Sequence, residues 1–73
     1  MIREQILNLQ RNLIFPAKRF RNAKILIYSL DGKLILDKKL NSNSNQIYVN
    51  QKGIYIMKTI LNTKNYSKKI IVN

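Results

Sequence analysis

Of the side chains that carry chemistry, this sequence offers many cations and almost nothing to pair with them. Fourteen lysines and arginines stand against three carboxylates, Glu4, Asp31 and Asp37, and the 73 residues include no histidine and no cysteine. Histidine is the commonest metal ligand and the side chain best suited to acid and base work near neutral pH. Its absence, with that of cysteine, removes imidazole and thiolate metal sites, the usual nucleophile and base pairs, and any disulfide framework. The three carboxylates are scattered, so they assemble neither a paired general acid and base nor a cage for a hard cation. We therefore expect no catalytic, cofactor-binding or metal-binding residues, and a chain that is not an enzyme. The net charge of +11 raises nucleic acid and other anionic surfaces as partners. However, Ile, Lys and Asn fill almost half of all positions, and such a bias can arise from an AT-rich coding sequence without selection for anion binding.

A chain of this length forms at most one domain, because it buries only about 60% of the surface it exposes when unfolded. Residues 1–22 are expected to be a short N-terminal helix followed by a basic linker. Ile2, Ile6, Leu9 and Leu13 recur at helical spacing, Pro16 would end the helix, and Ala17 to Asn22 hold three cations around Phe20. From Ala23 the period becomes that of strands, so residues 23–73 are read as a β module. Lys24 to Leu30 is apolar on both faces, and Asp31-Gly32 follows as a hairpin signal suited to a type I′ turn. Lys33 to Leu40 forms the return strand, and the polar loop Asn41 to Asn45 leads to a short strand, Gln46 to Val49, with Ile47 and Val49 facing inward. The longest run, Gly53 to Leu61, places Ile54, Ile56, Lys58 and Ile60 on one face and Tyr55, Met57, Thr59 and Leu61 on the other. A last strand, Tyr66 to Val72, ends the chain. About five strands joined by short polar turns predict an all-β fold, a small, incomplete antiparallel sandwich of immunoglobulin-like type.

Three segments of this module carry more information than their periodicity. The first is Ile25 to Ile35, a strand, a turn containing Asp31 and Gly32, the cation Lys33 and a second strand. The second is Lys52 to Lys58, with glycine and tyrosine two apart at Gly53 and Tyr55; the third is Ser67 to Asn73, lysines followed by an apolar strand. In this order and spacing they resemble the C-terminal sorting domain of type IX secretion cargo, with the likeness covering residues 23–73. That resemblance implies a non-enzymatic address at the end of a passenger enzyme or adhesin. Such a domain folds in the periplasm, directs passage through the outer-membrane translocon to the cell surface and is removed by a sortase. On this reading the translocon and the sortase are the partners. The residues recognised are Lys68, Lys69, Ile70, Ile71 and Val72, on a final strand suited to strand addition. Asp31, Gly32, Gly53 and Tyr55 serve as scaffold.

The family usually carries a proline-asparagine-proline signature and a further strand ahead of the segment matched by Lys24 to Leu30. Phe15-Pro16-Ala17-Lys18 holds one proline, so the first strands of a seven-stranded sandwich are expected to be missing or replaced by the helix. Polar residues between Met1 and Phe15 break any apolar signal segment, and no run is long and apolar enough to span a membrane. The expected location is the cell surface when the module is part of a larger cargo, and the cytoplasm when it is expressed alone. Two alternatives belong to other classes. Lys52 to Met57 faintly resembles the sheet motif on which RNA-recognition domains stack bases, which would make a small basic nucleic-acid-binding module. Exposed strand edges would instead pair two copies into a homodimer.

Overall fold

In a computed structural model, residues 7–9, 11–15, 20–41 and 45–73 are described, and they form two antiparallel sheets. The strands are β1 (Leu7–Leu9), β2 (Asn12–Ile14), β3 (Lys24–Ser29), β4 (Leu34–Lys39), β5 (Gln46–Tyr48), β6 (Gly53–Leu61) and β7 (Lys64–Val72). One sheet has the order β1-β2-β5, and the other β4-β3-β6-β7. The chain leaves the smaller sheet after β2, makes the β3–β4 hairpin in the larger, and returns for β5. It then crosses again to make the β6–β7 hairpin beside the first. The all-β sandwich expected from strand periodicity is therefore present, with seven strands among the described residues rather than about five.

The N-terminal helix is not. Residues 1–6 lie outside the described part, but β1 and β2 occupy the stretch in which Leu9 and Leu13 were expected to share a helical face. Arg11 sits between them in the left-handed region at φ 69°, which no continuing helix allows. Competing with the helical spacing is a two-residue period, in which Leu13 and Phe15 are fully buried while Asn12 and Ile14 are only half-buried. A helix this short is marginal in isolation. Asn8 and Asn12 weaken it further, whereas pairing Leu13 with Ile47 gives the segment both a ladder and a core. The ladder continues past the strand ends. Phe15 N–H donates to the Asn45 carbonyl (2.9 Å), Asn45 Nδ2 returns to the Phe15 carbonyl (2.8 Å), and Val49 N–H donates to the Arg11 carbonyl (2.8 Å).

The core lies between the sheets. Leu13, Phe15, Ile47 and Val49 from the smaller sheet meet Ile25, Ile27, Tyr55, Met57, Ile70 and Val72 from the larger, with Ala23 and Leu40 completing the cluster. Phe20, expected in a solvated linker, packs edge-on against Phe15 with ring centroids 5.3 Å apart. Ala17 to Arg19 of that segment, and Ser42 to Ser44 of the polar loop, lie outside the described residues. One cation bridges the layers: Lys38 Nζ of β4 donates to the Gln46 carbonyl of β5 at 3.0 Å.

Candidate functional site

The β3–β4 turn is built by Ser29, Asp31, Gly32 and Lys33. Gly32 N–H donates to the Ser29 carbonyl (3.0 Å) and Ser29 N–H to the Lys33 carbonyl (2.9 Å). Among these residues only Gly32 has positive φ, at 90°. The turn is thus of the type I class followed by a glycine bulge, and not the type I′ turn expected from Asp31-Gly32. Nothing lies within 4 Å of where a Gly32 side chain would begin, so backbone conformation rather than space demands glycine. A second irregularity follows, where the register slips between Ile27 and Tyr28 and leaves Ile35 as the extra residue of β4. The Ser29 hydroxyl donates to the Asp31 carboxylate, and Lys33 N–H donates to the Ser29 oxygen at 3.2 Å. The Ser29 hydrogen bond, helped by the backbone N–H groups of Asp31 and Lys33, holds the Asp31 carboxyl below its ordinary value of 3.8 against the opposing effect of desolvation. The arrangement fixes a turn and leaves no free base.

Gly53 and Tyr55 form a second local device at the entrance to β6. Tyr55 is 8% exposed, and its hydroxyl donates to the Gln51 carbonyl four residues upstream at 2.6 Å. The ring lies back over Gly53, where a side-chain carbon would stand 3.6 Å from the ring edge and the hydroxyl oxygen. Gly53 itself has φ 157°, at the border of the region that only glycine enters readily. A tyrosine that turns back to bond its own upstream backbone at a sheet corner is a stabilising feature of immunoglobulin-like sandwiches. The spacing of glycine and tyrosine is therefore explained by packing alone.

The third segment is β7, the last strand of the larger sheet. Its side chains divide by alternation. Ile70 and Val72 point into the core and are buried, whereas Lys69 and Ile71 point to the opposite face, with Ile71 56% exposed. Lys68 lies on the inward side, opposite the buried Met57, but is itself exposed. The five residues expected to be recognised are thus split between interior and surface.

The register brings the three segments together. Ser29 of the turn pairs with Tyr55, and Tyr55 pairs with Ile70, so one row of the sheet holds a residue from each. Gly53 pairs with Val72 two residues along, in the next row of the same face. What the sequence separates by some forty residues, the sheet gathers at one end. Leu13 and Phe15, which share the core cluster with Tyr55 and Ile70, were not legible as part of it. Their two-residue spacing was the available signal, masked by the helical spacing of their neighbours.

Elsewhere the described residues hold no group of His, Cys, Asp or Glu able to bind a metal ion, and no helix long and apolar enough to cross a membrane. The ion pair of Lys24 with Asp37, at 3.8 Å, is solvent-exposed and of the kind that contributes about 0–1 kcal/mol. No curated protein is significantly similar to the chain. A sequence-family match does exist, to the secretion system C-terminal sorting domain, and it covers residues 4–73, taking in β1 and β2 as well as the three motifs. The chain belongs to that family, the C-terminal sorting domains of type IX secretion.

Proposed function

We propose that this chain directs a passenger through the type IX outer-membrane translocon to the cell surface, and that it does so as a binding signal without catalysis. The observation that carries the reading is the row Ser29, Tyr55 and Ile70. The three segments that resemble the sorting motifs form one continuous end of the larger sheet. Sorting domains of this family sit on secreted or surface proteins. The presented part is β7, with Lys68, Lys69 and the outward side chain of Ile71 meeting the machinery. Ile70 and Val72 hold the strand in place from within.

Two features disfavour the other readings. The Tyr55 ring is buried and its hydroxyl engaged, so it offers no face on which a base could stack. Lysines along β4 and β7, the outer strands of the larger sheet, would oppose one another if two copies paired edge to edge.

The test is delivery. The full chain, fused behind an export signal and a fluorescent passenger in a host with a type IX translocon, should place the passenger on the cell surface. Replacing Lys68 and Lys69 together by Glu should reduce surface fluorescence without loss of folding. Periplasmic retention equal to that of the passenger alone would overturn the proposal.

A further inference from the structure

An antiparallel sheet with one face in water normally alternates apolar inward and polar outward. The outer face of the larger sheet breaks that rule. Cross-strand partners share a face, so the register assigns the rows on it. One row is Leu34, Tyr28, Ile56 and Lys69; the next is Asp37, Leu26, Lys58 and Ser67; the third is Lys39, Lys24, Ile60 and Asn65. Ile54 and Ile71 pair beyond the first row. Leu34 (47%), Ile54 (43%) and Ile71 (56%) are exposed, and Leu26, Tyr28 and Ile56 between them are half-buried. Single exposed apolar residues are ordinary, but a patch continuous across four strands marks an interaction surface.

We infer that this outer face is a docking surface for an acidic protein partner, met by sheet or helix packing. The inference rests on the sorting reading and extends the presented part of β7 to the whole face. Its charge chooses the occupant. Among the described residues the face carries Lys24, Lys39, Lys58 and Lys69 against the single carboxylate of Asp37. A second copy would bring the same lysines into opposition. A lipid surface is entered by apolar groups that protrude from a loop or helix. Here they lie on strands, interspersed with lysines, and Lys58 stands in the middle row of the face. A lysine covered at the centre of an interface requires a fixed opposing carboxylate, which a folded partner supplies.

The experiment uses the full-chain fusion in a type IX-competent host, with Lys39→Glu/Lys58→Glu compared against Arg21→Glu/Lys64→Glu, two exposed cations off this face and outside the three motif segments. Both pairs change the charge equally, but only the first alters this face. Surface delivery should fall about tenfold or more for the first pair and stay near wild type for the second. Thermal melting of the purified chains keeps loss of folding separate from loss of docking. If wild type is delivered and both pairs match it, the docking surface is wrong while sorting stands. If wild type is not delivered, sorting fails, and photocrosslinking decides the surface by itself. With p-benzoylphenylalanine in place of Tyr28, a discrete adduct is expected, absent when the probe replaces Asn62 and lost on adding Lys58→Glu. Its crosslinked peptide should be rich in Asp and Glu. No adduct, or one with a peptide lacking acidic residues, overturns the inference. An adduct of twice the chain mass identifies a second copy instead. Cosedimentation with phosphatidylglycerol vesicles that Lys39→Glu/Lys58→Glu abolishes identifies lipid. Either result also overturns it.

Discussion

The two faces of β6 are both rich in apolar residues, yet they have opposite fates. Ile54, Ile56 and Ile60 share one face with Lys58, and by hydropathy this is the more apolar side. Tyr55, Met57 and Thr59 share the other, and it is they that are buried, Thr59 to 4% exposure. The reason lies across the sandwich. Leu13, Phe15, Ile47 and Val49 of the smaller sheet cover the Tyr55 side, and the described residues place no second layer over the isoleucines. Burial is thus decided by what stands opposite a side chain, and residue type alone does not decide it.

The sharpest way to break this comparison is to truncate matched side chains on the two sides. Ile25, fully buried on the inner face, should cost about 2–5 kcal/mol on Ile25→Ala, enough to unfold a small domain, and about 0.5–1.5 kcal/mol on Ile25→Val. Ile54→Val on the outer face should change stability by no more than about 0.5 kcal/mol. Urea titration of the valine pair measures both, and equal costs would mean that the outer face is as tightly packed as the inner. Next in size is the tyrosine latch. Tyr55→Phe keeps the ring over Gly53 but removes the hydroxyl from the Gln51 carbonyl, for an expected loss of about 1 kcal/mol by the same titration. A neutral result would place the whole effect of this residue in its ring.

The smallest effect is at the β3–β4 turn, and it depends on pH. The folded Asp31 carboxyl titrates below 3.8 because Ser29 donates to its ionised form. A depressed carboxyl stabilises the fold in full above its unfolded pKa and loses that contribution as pH falls through its lower folded value. The stability difference between wild type and Asp31→Asn should accordingly be constant from neutral pH down to about 5 and shrink below it. A difference that grows on acidification would reverse the assignment.

Most strands after Pro16 were legible because they announce themselves locally. Ile25 and Ile27, the Asp31-Gly32 turn, the alternation of Ile47 and Val49, and the long run from Gly53 are all short-range signals, and each element fell close to its expected bounds. The turn itself was read with the wrong backbone geometry, since Asp-Gly serves both a tight two-residue turn and a longer one closed by a glycine bulge. The motif residues were legible as well, but not their arrangement. Register is a long-range property, and only pairing shows that Tyr55 lies between Ser29 and Ile70. The division of Lys68 to Val72 into buried and presented side chains was hidden for the same reason.

By itself the sequence determined the all-β class, the positions of the main turns, the scarcity of groups able to do chemistry and the resemblance to a sorting domain. Each of these follows from residue type and from spacings of a few residues. Tertiary structure decided that Leu7–Leu9 and Asn12–Ile14 form strands instead of a helix, and which of two apolar faces becomes the core. Both outcomes turn on one long-range event, the pairing of β2 with β5 to make a second sheet. That layer takes Leu13 and Phe15 out of their ambiguous local pattern and covers one side of the larger sheet, whereas none of the described strands covers the lysine-bearing side.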